Sequence, residues 1–98
     1  MREAVIVSTA RTPLTKSHRG EFNAISGAEL ASHAVKAAVH RSGVDAQLIE
    51  DVILGCGYPE GRTGRNVARA SVIRAGLPLQ IAGATVSRFC ASGLQAIA

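Results

Sequence analysis

A cysteine lies where this 98-residue sequence changes from a strand pattern to a helix pattern. β-type residues occupy 84–87, small residues follow Cys90, and an apolar helical spacing begins at Leu94. At the first turn of a helix, unpaired N–H groups and the dipole favour a thiolate, and Ala91 and Gly93 leave room for a substrate carbonyl. One of those N–H groups could then stabilise an oxyanion. The pattern is typical of a cysteine nucleophile for acyl transfer, and it equally fits a buried cysteine that packs as a small hydrophobe.

The other cysteine and the histidines form no second reactive centre. Cys56 follows the apolar run 52–54 and is predicted to help pack the core. No two of His18, His33 and His40 are three or four residues apart, so we predict no metal site. Two cysteines without a regular framework also do not indicate a disulfide-stabilised secreted domain.

The glycine-rich segment that follows Cys56 has the wrong spacing for a phosphate-binding loop. Gly55, Gly57 and Gly61 do not fit the dinucleotide-binding pattern, and no Gly-Lys-Ser/Thr ending marks a P-loop. We therefore expect a loop whose glycines supply positive φ angles.

The composition argues against several classes of function. The formal net charge is +4 and apolar residues make up 47% of the sequence, which indicates a globular segment. The basic residues are dispersed and aromatic residues make up only 3%, so nothing indicates a nucleic-acid surface. No apolar run approaches the ~20 residues that span a bilayer, and the first ten residues lack the character of a signal or transit peptide. We expect no nucleic-acid or membrane partner and a cytoplasmic location.

The elements that would position Cys90 alternate between strand and helix. The predicted strands are residues 4–7, 50–56 and 84–87, and the first is a continuous apolar run, as in a strand buried on both faces. The predicted helices run from Ser26 to Gly43, from about Asn66 to Ala75, and onward from about Cys90. This alternation implies an α/β fold with right-handed crossovers and a mostly parallel, layered sheet.

Local signals mark the helix boundaries and the inward face of the second helix. Ser26 and Glu29 fit a capping box, and Gly43 fits the position just after the first helix. Gly76 is expected to close the second helix. The predicted inward positions of that helix are Val67, Ala68, Ser71, Val72 and Ala75.

Three segments, in order along the chain, resemble the thiolases, the enzymes that form or cleave 3-ketoacyl-CoA. SRFCASGLQAIA (87–98) is similar to the segment that carries their nucleophile. Upstream, ARTP (10–13) follows the first predicted strand, and GRNVAR (64–69) precedes AGLP (75–78). The resemblance covers the chain from the first strand to Ala98.

The resemblance implies a fold, a reaction and a nucleophile. The fold would be the thiolase-like layered βαβ arrangement, with residues 1–98 as the N-terminal part of the N-terminal domain, truncated within the nucleophile helix. Cys90 would be the catalytic nucleophile that forms an acyl-cysteine, with its own N–H as an oxyanion donor. The substrates would be acyl-CoA and coenzyme A, in thiolytic cleavage (fatty-acid β-oxidation) or in acetyl-CoA condensation, with no tightly bound cofactor.

Two further thiolase groups have no counterpart in this sequence. In that family a histidine in a Gly-His-Pro motif activates the nucleophile, and a second cysteine in a Cys-x-Gly motif handles the α-proton. No Gly-His-Pro occurs here, and Cys56 lies in Gly-Cys-Gly at a strand end, so neither role transfers. The chain alone is therefore expected to be inactive.

Arg62, Arg65 and Arg69 are predicted to form a solvated or subunit-facing cluster, with contact to the phosphates of coenzyme A as the alternative.

The resemblance also implies an assembly. Thiolases are dimers or tetramers, and the strand before the nucleophile lies close to their subunit interface, so we expect a homodimer or homotetramer. Thr85 and Val86 suit edge-to-edge pairing there.

Two other interpretations remain: a ketoacyl-synthase-like condensing enzyme, against which ARTP argues, and a non-catalytic dimerisation or binding fragment.

Overall fold

Two parallel strands form the centre of the computed structural model, which describes residues 1–98. Strand β1 (Asp51–Gly55) pairs with β2 (Ala82–Val86), with Asp51 opposite Ala82 and Gly55 opposite Val86. A helical crossover connects the two strands, as parallel pairing requires. The predicted α/β class with a parallel sheet is confirmed.

Three helices accompany the strands. They are α1 (Gly27–Ser42), α2 (Val67–Arg74) and α3 (Ser92–Ile97), and short 3-10 turns occupy Ala46–Leu48, Gly61–Thr63 and Phe89–Ala91. Helix α2 packs on α1 and on β2, whereas α3 packs mainly on β1. The longest helix, α1, has 16 residues, and none of the helices could span a bilayer.

The two faces of the sheet carry different helices. A Cβ built on Gly83 would lie 2.7 Å from the amide nitrogen of Arg69 in α2. Helix α2 therefore packs against the sheet face to which a side chain at position 83 would point. A Cβ built on Gly55 would collide with the backbone of Ser92 at the start of α3. Gly83 pairs with Val52 and Gly55 lies three residues further along β1, so these glycines face opposite sides.

The predicted caps of α1 are largely confirmed. The Ser26 hydroxyl accepts the N–H of Glu29 at 3.2 Å, and Gly43 ends the helix with φ of 70°. The Glu29 carboxylate contacts Arg74 in α2 at 3.3 Å and therefore joins the two helices. Helix α2 likewise ends next to Gly76, at φ of 72°.

The core lies between α2 and the sheet. All five predicted inward residues of that helix are buried, namely Val67, Ala68, Ser71, Val72 and Ala75. Ile81, just before β2, is fully buried with them. The Ser71 hydroxyl donates to the carbonyl of Val67 at 2.7 Å, which satisfies this buried polar group.

The predicted first strand is wrong for this chain. Residues 4–7 form no strand, and Val5, Ile6 and Val7 are between 66% and 74% exposed. The segment lies beside the C-terminal half of α1, where Arg41 donates to the carbonyl of Thr9 at 3.1 Å. An apolar run forms a central strand only when strands pair with it and both faces are covered, and here neither condition is met.

Candidate functional site

Cys90 lies in a tight turn between β2 and α3. The strand ends at Val86, a 3-10 turn covers Phe89–Ala91, and the α-helix begins only at Ser92. The third helix was expected from about Cys90, so the cysteine precedes the α-helix instead of starting it. Its side chain is exposed and its thiol is free. The alternative of a buried, packing cysteine is therefore wrong for this chain.

The backbone of the turn is unusual just before the cysteine. Phe89 has φ of 48°, in the left-handed region that non-glycine residues seldom adopt. Its aromatic ring is 73% exposed, so apolar burial of the ring does not hold this conformation. Hydrogen bonds inside the turn must therefore stabilise it.

Most of those bonds involve Ser92, which is only 3% exposed. Its hydroxyl accepts the N–H of Arg88 at 2.8 Å and donates to the carbonyl of Phe89 at 2.7 Å. The N–H of Ala91 donates to the carbonyl of Arg88, and the N–H of Ser92 donates to that of Phe89. The turn thus consumes the amides of Ala91 and Ser92 but not that of Cys90, which keeps the Cys90 N–H available to an oxyanion.

Two glycines at the end of β1 form the surface on which this turn rests. A Cβ on Gly55 would overlap the carbonyl of Ser92 and lie 2.6 Å from the nitrogen of Gly93. A Cβ on Gly57 would lie 2.9 Å from the carbonyl oxygen of Phe89. Because they lack a Cβ, these two glycines allow the backbone of residues 89–93 to pack closely against the end of β1. The expected positive φ in this loop is present only at Gly61, at 58°.

Cys56 does not join Cys90. It lines a cavity of about 320 Å³ together with Leu54 of β1, Leu30 of α1 and Val67 of α2. Residue 56 alternates with Gly55 and Gly57, so its side chain lies on the α1–α2 face, opposite the Cys90 turn. The predicted packing role agrees with this partly buried position.

A side-chain network that sequence reasoning missed holds β2 against α2. Asn66, at the start of α2, has φ of 58° and does not cap its own helix. The Thr85 hydroxyl caps it instead, accepting the N–H of Ala68 at 3.1 Å and donating to the Asn66 side-chain oxygen at 2.8 Å. The Asn66 amide in turn donates to the carbonyl of Gly83 at 2.8 Å. An asparagine just before a helix is a known capping signal, but its link to β2 depends on tertiary contact.

The register of the two strands determines which backbone groups of β2 lie at its free edge. The N–H of Ala82 donates to Glu50, and the carbonyl of Val86 accepts from Cys56, so even-numbered residues face β1. Gly83 and Thr85 therefore direct their backbone groups to the free edge. The expectation that Val86 takes part in edge pairing is wrong, because its backbone already bonds β1.

The predicted arginine cluster does not act as one group. Arg62 donates to the carbonyl of Asn23 at 3.2 Å, and Arg69 donates to the carbonyl of Ile81 at 2.6 Å. Arg65 has φ of 55° and is exposed. Two of the three guanidinium groups thus bind backbone carbonyls in separate places.

The sequence of this chain is similar to those of several known proteins. The family model described as "Thiolase, N-terminal domain" matches residues 4–98. Over its full length the chain is 44% identical to a 3-ketoacyl-CoA thiolase of Bacillus subtilis and covers 25% of that relative. It is 40% identical to a 3-oxoadipyl-CoA/3-oxo-5,6-dehydrosuberyl-CoA thiolase of Escherichia coli, over 99% of this chain and 24% of the relative. It is 41% identical to a mitochondrial acetyl-CoA acetyltransferase of Gibberella zeae, over 99% of this chain and 22% of the relative. The chain spans about a quarter of the length of the curated relatives it matches.

Proposed function

This chain belongs to the thiolase family, and on that premise we propose that the protein carrying it is an acetyl-CoA C-acyltransferase with Cys90 as its nucleophile. The observation that carries the proposal is the exposed thiol in a tightly bonded turn next to an amide that the turn leaves free. The substrates are 3-ketoacyl-CoA and coenzyme A, or acetyl-CoA in the reverse direction. The reaction needs no tightly bound cofactor.

The proposed reaction has two half-reactions. The Cys90 thiolate attacks the 3-keto carbon, and the developing oxyanion accepts the Cys90 N–H. The bond between C2 and C3 breaks, and its electron pair leaves with acetyl-CoA as the enolate, which takes up a proton. The thiol of coenzyme A then attacks the acyl-cysteine, releasing acyl-CoA and restoring Cys90. In the biosynthetic direction, an acetyl-CoA carbanion attacks the acyl-cysteine instead.

Acylation of Cys90 tests the proposal. The complete protein is incubated with acetyl-CoA or acetoacetyl-CoA, quenched in acid and digested, and the acyl group is located by mass spectrometry. We expect it on the peptide that contains Cys90, and we expect Cys90→Ser to abolish most turnover because a hydroxyl is the poorer nucleophile at neutral pH. Cys56→Ser is the matched control. This variant should still carry the acyl group on Cys90 and should keep most of its activity. Label on Cys56, or full turnover by Cys90→Ser, would refute the assignment.

We further propose that the protein is a homodimer or homotetramer in which the free edge of β2 faces a partner subunit. Asn66 already occupies the carbonyl of Gly83, so pairing would start at Thr85. Light scattering of the complete protein measures the assembly, and an active monomer would refute this proposal.

The location and the pathway are proposals of the same kind. A cytoplasmic location is supported by the similarity of this chain to thiolases of bacteria, such as those of Bacillus subtilis and Escherichia coli. A role in fatty-acid β-oxidation predicts thiolysis of 3-ketoacyl-CoA substrates that are longer than acetoacetyl-CoA. Cell fractionation and thiolysis assays with acyl chains of different length test these two statements.

A further inference from the structure

The peptide unit between Phe89 and Cys90 carries both a fixed carbonyl and the free amide of the nucleophile. The chain has no cis peptide bonds, and a trans peptide is planar, so its C=O and N–H point in opposite directions. Whatever fixes the direction of the Phe89 carbonyl therefore fixes the direction of the Cys90 N–H.

Ser92 fixes that carbonyl twice. Its hydroxyl donates to the Phe89 oxygen at 2.7 Å, and its backbone N–H donates to the same oxygen. The hydroxyl also accepts the N–H of Arg88 at 2.8 Å, which ties the Ser87–Arg88 peptide to the same side chain. Ser92 is 3% exposed, so water does not compete for these bonds.

We propose that Ser92 is a positioning residue for the Cys90 nucleophile: through the Phe89–Cys90 peptide it aims the Cys90 N–H at the oxyanion formed during acyl transfer. The inference rests on the proposed function. Ser92 does not touch the reacting atoms and acts only through the carbonyl of Phe89. Gly57 also lies close to this carbonyl, since a Cβ there would lie 2.9 Å from its oxygen.

The role predicts an effect on the chemical step and little effect on substrate binding. Loss of one oxyanion donor costs about 100- to 1,000-fold in kcat, and a donor that remains but is misdirected should cost less. In the complete protein, Ser92→Ala is therefore expected to lower kcat about 10- to 100-fold, with KM within about twofold. Ser92→Thr retains the hydroxyl and should recover most of kcat.

Ser42→Ala is the matched control. The Ser42 hydroxyl also donates to a backbone carbonyl, that of Val39 at 2.6 Å, and accepts a backbone N–H, that of Val44 at 3.1 Å. It makes these bonds at the end of α1, away from the Cys90 turn, so its loss should leave kcat unchanged per folded protein. A purely structural role for Ser92 would make the two alanine variants behave alike once activity is corrected for folded fraction.

Each outcome decides between the inference and its premise. If the wild-type protein shows no thiolysis and no acyl-Cys90, the proposed function fails and the inference fails with it. If the wild type is active and folded Ser92→Ala keeps its kcat, only the inference is overturned. If Ser92→Ala does not fold, Gly57→Ala provides a second test, because its new methyl group would press on the carbonyl of Phe89. That variant should show the same loss of kcat at unchanged KM, and a wild-type kcat would overturn the inference.

Discussion

Residues 1–98 expressed alone should not unfold in one cooperative step. The structure has a solvent-accessible area of 7442 Å², whereas a compact protein of 10.1 kDa exposes about 5,300 Å². The excess is about 2,100 Å², and more than half of a typical protein surface is apolar. At about 25 cal/mol per Å² of apolar area, this unburied surface corresponds to about 30 kcal/mol of lost hydrophobic stabilisation. The free energy of unfolding of a whole domain is only about 5–15 kcal/mol.

The exposed area has identifiable sources. Val5, Ile6 and Val7 lie uncovered along α1, and Leu94 and Ile97 on α3 are more than 70% exposed. Helix α3 is six residues long, too short to persist without packing.

Circular dichroism during heating, together with calorimetry, measures the cooperativity of this chain, and the complete protein is the control. We expect a broad, low-enthalpy transition and no thiolysis for residues 1–98, and a sharp transition for the complete protein. A sharp two-state melt of the short chain, or turnover by it, would refute the reasoning from exposed area.

Three substitutions in the complete protein test the packing around the site by their effect on the free energy of unfolding, measured in urea. Gly55→Ala places a methyl group against the backbone at the start of α3 and should cost about 1–3 kcal/mol. Gly93→Ala is the control and should not destabilise the protein, because no atom lies within 4 Å of its new Cβ. Equal effects of the two substitutions would contradict the close packing of α3 on Gly55. Thr85→Val removes the hydroxyl that caps α2 and should cost about 1–2 kcal/mol, and a change below about 0.3 kcal/mol would rule out that capping role. Arg74→Ala breaks an ion pair with Glu29 whose side chains are 54% and 40% exposed, so it should cost under about 1 kcal/mol, and a larger loss would show that the pair is more than a surface contact.

Several features of the fold could be read from the sequence because they depend on neighbours a few residues apart. Ser26 caps α1 through an amide three residues away, and Gly43 and Gly76 end helices with positive φ angles that glycine adopts freely. The inward face of α2 follows from helical spacing alone. The turn that holds Cys90 lies where the change from strand to helix pattern placed it.

The wrongly predicted first strand and the unpredicted Asn66–Thr85 network both depend on contacts between residues far apart in the sequence. The apolar run 4–7 has the composition of a strand, but a strand exists only when another one pairs with it.

The sequence by itself determined the α/β class, the caps of α1, the glycine that follows α2, the buried face of α2 and the location of Cys90 next to small residues. Only the tertiary structure showed that the Cys90 turn packs closely on Gly55 and Gly57 and that Thr85 of β2 caps helix α2. It also showed that the backbone groups of Val86 point toward β1. The physical reason is that periodicity and capping are set by backbone geometry within one or two turns. Close approach and edge direction are set by the register of two strands about thirty residues apart, which no local pattern encodes.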